Sequence, residues 1–212
     1  MSDSDTSGVM LILAAARAVA EDDALNGWLF DVHYKEVMQP GIIVRASRLH
    51  AIDATPEQPI ESAGPAAWIT LYEMERGDAA AAWKENTVIN GDRRARGVIT
   101  PISPYSAPTM MAAYKRIAGP PLAPKENTTL YLHLWNSDTL PLSVGTFWGA
   151  ASVFESERLA EGHPRWLAIG EISDVGDVPG ATPEEKSSLS QVRSKLTLSG
   201  AFRVVYVERP SG

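Results

Sequence analysis

The stretch Trp28-Leu-Phe-Asp-Val-His33-Tyr-Lys-Glu-Val-Met-Gln-Pro40-Gly41, followed by Ile42 to Ala51 and then by Trp68-Ile-Thr-Leu-Tyr72-Glu, decides how the chain reads. Asp22 or Asp23 can cap a helix that continues through Leu25, Trp28, Leu29, Val32 and Val37, spacings that mark one apolar stripe at the helical period. Pro40-Gly41 ends it. Ile42 to Ala51 reads as a strand with Ile43, Arg45, Ser47 and Leu49 on one face. A loop punctuated by Pro56, Pro59, Gly64 and Pro65 leads to the next strand, Trp68 to Met74.

The flanking segments complete a pattern. Val9 to Ala15 is a partly β-branched apolar run of strand length. Asp78 can cap an Ala-rich helix from Ala79 to Ile89 that stops at Asn90-Gly91, and Met110 to Ile117 is a fourth strand. The order is β-α-β-β-α-β. Gly119-Pro120-Pro121 and Pro124 then read as a linker, beyond which the order starts again. Thr129 to Trp135, Ser152 to Ala160 and Trp166 to Ile172 are strands. Thr182 and Glu185 form a capping box with Pro183 at the first helical position. Leu189, Val192 and Leu196 give that helix a buried face, Gly200 ends it, and Phe202 to Val207 is the last strand.

Short echoes suggest a duplication. Trp68 to Met74 matches Trp166 to Ile172, Ser47-Arg48-Leu49 echoes Glu157-Arg158-Leu159, and Tyr114 echoes Tyr206. The expected units are 8–119 and a shortened 126–210, whose first connection holds Pro141, Gly145 and Gly149 and leaves room for little helix. One irregular α+β domain is the alternative.

The composition is globular: 212 residues, 44% hydrophobic and 21% charged. Nineteen Lys and Arg against 26 Asp and Glu give a net charge of −7, with no basic stripe for phosphates, which argues against nucleic acid. The absence of cysteine excludes disulfides, thiol nucleophiles, thiolate zinc sites and iron–sulfur clusters. No apolar run reaches the roughly 18 residues that span a bilayer, so no membrane role is expected. Met1 to Ser7 is polar and acidic, unlike a secretory signal, so a cytoplasmic location is expected.

The helix with its His ahead of Pro-Gly, the strand with Arg45, and the aromatic strand ending in Tyr72-Glu resemble the dimeric α+β barrel superfamily, closest in flavour to its EthD-like members. Residues 9–78 carry the likeness; 126–210 share only the topology. The resemblance implies an α+β fold in which two ferredoxin-like βαββαβ units face each other and enclose a pocket. Here they would do so within one chain, the second unit having a degenerate first helix and no equivalent of His33. One working pocket per chain is expected, and a homodimer of such chains is left open.

Strand alternation then nominates the pocket's walls. In Thr129 to Trp135, Leu130, Leu132 and Leu134 share the face suited to lying under helices, which leaves Tyr131, His133 and Trp135 for the chamber. By the same argument Ile69 and Leu71 face helices, and Trp68, Thr70 and Tyr72 face inward. His33 borders its helix's apolar stripe, as a general base at the pocket mouth or as a boundary histidine bonded to a loop carbonyl. His133 is either a second candidate base or a satisfied buried polar group. Tyr72 and Tyr131 could donate to a developing oxyanion or simply form wall. Arg45 could hold a ligand carboxylate or phenolate, or form a surface ion pair. Trp28 joins the aromatic wall, and Trp148 is a lid or a plug. His33 and Glu36 make an H-x-x-E pair with no second ligand cluster, so no metal is expected. Nucleotide, nucleophile-elbow and zincin motifs are absent.

The expected function is a cofactor-independent enzyme that takes a small apolar, aromatic or polyketide-like substrate and abstracts a proton with His33 or His133, as a lyase, isomerase or cyclase. The alternatives are a cofactor-free monooxygenase and a non-catalytic binding protein. Some superfamily relatives hold haem through a histidine, which would make His133 the candidate axial ligand.

Overall fold

The computed structural model describes residues 7–16, 22–52, 68–101, 106–136, 151–156, 164–172 and 196–210. Eight antiparallel strands form one closed barrel: β1 (Gly8–Ala16), β2 (Arg45–Ala51), β3 (Trp68–Met74), β4 (Ser106–Ala118), β5 (Thr129–Trp135), β6 (Ser152–Ser156), β7 (Trp166–Ile172) and β8 (Leu196–Glu208). Around the barrel the order is β1-β3-β2-β8-β5-β7-β6-β4. Thus β4-β1-β3-β2 is followed by β8-β5-β7-β6, a like order in both halves, joined where β2 meets β8 and β4 meets β6. The described helices cover the first half: α1 (Asp22–Trp28), a π-helical turn (Leu29–His33), α2 (Tyr34–Met38) and α3 (Ala79–Ala95).

Closing eight strands leaves an interior that side chains can fill or that can hold one small ligand, and here apolar side chains from both halves meet in it. Val9, Leu11 and Leu13 of β1, Leu49 of β2, and Ile69 and Leu71 of β3 fill it from one half; Leu130, Leu132 and Leu134, Leu167 and Ile169, and Phe202 and Val204 fill it from the other. This corrects the facing expected from sequence. The leucine rows turn in to meet each other, so the alternate residues Trp68, Thr70 and Tyr72 turn out towards the helices, and Tyr131, His133 and Trp135 turn out on the opposite half.

An ion pair shares the interior. Arg45 Nη1 donates to Glu73 Oε2 at 2.9 Å and to the Leu122 carbonyl at 2.9 Å, with the two side chains 4% and 0% exposed. Arg45 and Glu73 lie directly opposite in the β2–β3 register, in phase with Leu49 and Ile69. Arg45 is therefore neither a surface residue nor a wall of the helix-covered layer.

The second layer lies between the outer face of the first half and its helices, where Leu25, Leu29, Tyr34, Val37 and Met38 meet Met10, Ala46 and Tyr72. Gly8 is needed for this approach, because a Cβ there would stand 2.7 Å from Ala79 Cβ. α3 runs past the expected stop at Asn90-Gly91 to Ala95, since Asn90 is spent on tertiary bonding: its Nδ2 donates to the Val37 carbonyl and its Oδ1 accepts from Arg93. Gly97, with φ of 70°, ends the helix instead, and Val98 N–H and Gly97 N–H close on the carbonyls of Arg93 and Arg94. Asp78 stands at the N-cap, but its carboxylate binds Arg76.

In the second half, β8 begins at Leu196 and pairs Gly200 with Leu132, so those two residues belong to a strand and not to a helix face and its stop. β8 is hydrogen-bonded on both sides, to β5 and β2, which draws these residues into the sheet. The capping box at Thr182 and the echo at 157–159 lie outside the described residues.

Candidate functional site

The first helical segment opens as α1 and closes as α2, but between them Tyr34 N–H bonds to the Leu29 carbonyl, five residues back. Residues five apart in an α-helix point about 140° apart around its axis. A π turn brings them to one side, and such turns recur at functional sites. Here the Trp28 and His33 rings stack at 4.5 Å between centroids. Leu25, Leu29 and Val37 keep the buried stripe that their spacing predicts, while His33 swings into the layer beneath.

That layer contains a cavity of about 310 Å³. The first helical segment contributes Leu25, Trp28, Leu29, His33 and Val37. The sheet contributes Ile12, Arg48, Thr70, Tyr72 and Met111, with Pro108 at its edge. α3 contributes Trp83, Asn86, Thr87, Asn90 and Arg94. The lining is mostly apolar and aromatic with a few polar groups, the usual make-up of a small-molecule site.

The polar groups are of two kinds. Those at the floor are fixed: Arg48 Nε donates to Asn26 Oδ1 at 3.1 Å, its Nη1 donates to Thr70 Oγ1 at 3.0 Å, and Tyr34 shares a 3.1 Å hydrogen bond with the same hydroxyl. The Arg48 guanidinium also lies 4.9 Å over the Trp68 ring, whose Nε1 donates to Asp22. The others are uncommitted. Among the described residues the ring nitrogens of His33, the Tyr72 hydroxyl and the Asn86 amide have no hydrogen-bond partner, although Asn86 is 2% exposed. His33 and Tyr72 meet edge-on with ring centroids 6.5 Å apart.

Burial sets their charge states. Desolvation, with a smaller push from the Arg94 cation, lowers the His33 pKa to about 4, so its imidazole is neutral at pH 7. Desolvation and the neighbouring Tyr34 raise the Tyr72 phenol well above its ordinary range, with Arg48 opposing, so Tyr72 is held protonated as a donor. Burial also lowers the Arg48 pKa, against the attraction of Tyr34, Tyr72 and Asp22.

Of the residues nominated from sequence, Trp28, His33, Thr70 and Tyr72 meet in this cavity, and Trp68 stands behind Arg48. Arg45 does not join them. Nor do Tyr131 and His133, whose rings lie 4.7 Å apart on the outer face of the other half, with burial lowering the His133 pKa to about 4. Trp135 packs there with Trp166 and Ala168. Trp148 lies outside the described residues. Glu36 is not poised beside His33 for a metal, because its carboxylate accepts from the Thr100 N–H and hydroxyl. Sequence reading missed Arg48, Trp83, Asn86 and Arg94. A signal existed for Asn86: it continues the buried line Ala79, Ala82, Asn86, Asn90 at helical spacing, where an apolar residue is the norm.

No family model matches the chain, and no curated protein matches it. Solved structures do. A Fusobacterium nucleatum protein proposed to be a monooxygenase superposes with a TM-score of 0.50 at 8% identity, over 98% of this chain and 96% of its own. The fold is that of the dimeric α+β barrels. Two further structures superpose less closely: a protein proposed to be a chlorite dismutase (TM-score 0.47, 11% identity, 95% of each chain) and a Lactobacillus acidophilus protein proposed to be a monooxygenase (0.42, 11%, 96% of each). At such identities the likeness concerns backbone architecture only. Among the described residues no helix is long and apolar enough to cross a membrane.

Proposed function

We propose that the chain is a cofactor-independent enzyme that removes a proton from carbon in a small aromatic or polyketide-like molecule, with His33 as the base. One observation carries this reading: a neutral imidazole and a protonated phenol, both uncommitted, look into the same aromatic cavity from adjacent walls. Trp28, Tyr72 and Trp83 would hold a flat ring, and His33, stacked on Trp28, would take the proton. The charge left on the substrate would spread into an enolate or phenolate oxygen. Tyr72 is in place to donate to that oxygen, and the fixed Arg48 cation adds a favourable field that low local polarity strengthens.

A base held near pKa 4 is weak, so the carbon acid must be acidic, as between two carbonyls. Lyase, isomerase and cyclase reactions part only at the next step, when the anion expels a group, is reprotonated elsewhere or attacks a second carbonyl. Oxygenation would start from the same anion. Haem has no part in this reading, since His133 forms no wall of the cavity.

Deuterium exchange tests the step without knowledge of the full reaction. The chain should accelerate exchange of the acidic C–H of an aryl 1,3-diketone in D2O, followed by NMR. His33→Gln should cut that acceleration on the order of 100-fold, while the exposed His50→Ala leaves it unchanged. A diketone that binds without any accelerated exchange would make the chain a carrier, and full acceleration in His33→Gln would remove His33 as the base.

A further inference from the structure

The cavity is electrically unlike the rest of the chain. The protein carries −7 overall, yet among the described residues no aspartate or glutamate lines the cavity and two guanidinium groups do. The two differ in how they are held. Arg48 is committed at the floor to Asn26, Thr70 and the Trp68 ring. Arg94, near the end of α3, uses only Nε, which donates to the Thr100 carbonyl at 3.1 Å. Its terminal nitrogens Nη1 and Nη2 have no partner among the described residues.

Two acidic groups near this end of α3 are already engaged. The Glu36 carboxylate accepts from Thr100, and Asp92 pairs with Arg96 on the outer side of the same helix. An open, planar guanidinium fork at the wall of an otherwise apolar cavity is suited to a planar anion bound through two parallel hydrogen bonds. Asn86 lies two turns back along α3, about 12 Å away at 1.5 Å per residue. Its Oδ1 is buried and has no partner among the described residues, a costly state unless a ligand donates the missing bond.

We propose that the ligand of this cavity is an aromatic or alicyclic monocarboxylate, its acid group on the free edge of Arg94 and a second polar group, a hydroxyl, donating to Asn86 Oδ1. This rests on the reading of the cavity as a substrate site and narrows the substrate class. The carboxylate then sits beside His33, on which Arg94 already acts electrostatically. A bound acid would offset that cation and leave His33 a better base, so the substrate would help to activate the group that attacks it. Arg94 has a positioning role here as well as a binding one.

The probes are 2-naphthoate and its isosteric primary amide, titrated calorimetrically into the full chain at low ionic strength. Naphthoate should bind 10- to 100-fold more tightly than the amide, the worth of a charge-assisted bond. Arg94→Gln should reduce that preference to less than about threefold while amide affinity is retained, which also shows that the variant is folded. Arg94→Lys, with the charge but not the fork, should fall between. Equal affinity of acid and amide for the unsubstituted chain, or an undiminished preference in Arg94→Gln, overturns the carboxylate assignment and leaves the cavity reading standing. If neither probe binds the unsubstituted chain, the cavity reading falls and takes this inference with it.

Discussion

The two faces of the first four strands serve opposite ends. Facing in, β1 and β3 present Val9, Leu11, Leu13, Ile69 and Leu71 to the leucines of the other half, in one apolar cluster. Facing out, the same two strands present Ile12, Thr70 and Tyr72 to a cavity of about 310 Å³. Stability comes from a surface with one kind of neighbour. Chemistry becomes available where the described helical pieces do not fill the gap, and where several polar groups have no partner among the described residues. A single period-2 alternation divides the labour.

The comparison can be broken first at the Arg45–Glu73 pair. Glu73→Ala removes the carboxylate opposite the Arg45 cation inside the barrel and should cost about 3–5 kcal/mol, read as a shift in the urea midpoint at unchanged slope. A loss below about 1 kcal/mol would mean that water reaches this end of the interior. Next in size, Leu132→Ala opens a void between the halves and should cost about 2–5 kcal/mol, while ligand affinity measured below the melting temperature stays as it was. Impaired binding in that variant would mean that the two faces are coupled.

The smallest effect sharpens the outer face alone. His33 and His133 titrate near 4 when folded and near 6.5 when unfolded, so the unfolded chain binds more protons between those values. Their contribution is intact above about pH 6.5 and is lost as pH falls towards 4. His33→Gln should make the decline in melting temperature between pH 6.5 and 4 shallower than in the parent chain, and an unaltered slope would place His33 in contact with water.

The strands were legible because alternation survives in short segments: Thr129 to Trp135 and Trp166 to Ile172 stand where their residues suggest. Which face points where was not legible. Both faces of β5 carry large side chains, and the choice turns on how wide a closed eight-stranded sheet is, a property of the assembly and not of the strand. The cavity was half visible. Trp28, His33, Thr70 and Tyr72 could be nominated as aromatic or titratable groups, but their meeting place depends on a π turn that no side-chain pattern announces. Arg48, Asn86 and Arg94 look like ordinary polar residues until tertiary packing places them in one wall, and the Asn90-Gly91 stop signal fails because Arg93 and Val37 give Asn90 other work.

Barrel closure has a consequence for the backbone itself. Among the described residues two seams, β2 with β8 and β4 with β6, tie the halves together by ladder hydrogen bonds, and both contain a register shift. The backbone crosses from one half to the other through 119–125, most of it exposed. A cut there would yield two pieces, each with a pair of raw edges and one side of a greasy interface, unable to persist apart yet shaped to reunite when mixed. The covalent connection keeps the complementary pieces at high local concentration, while its Leu122 joins the interior and gives its carbonyl to Arg45. The seams are where such a reconstituted molecule would first come undone.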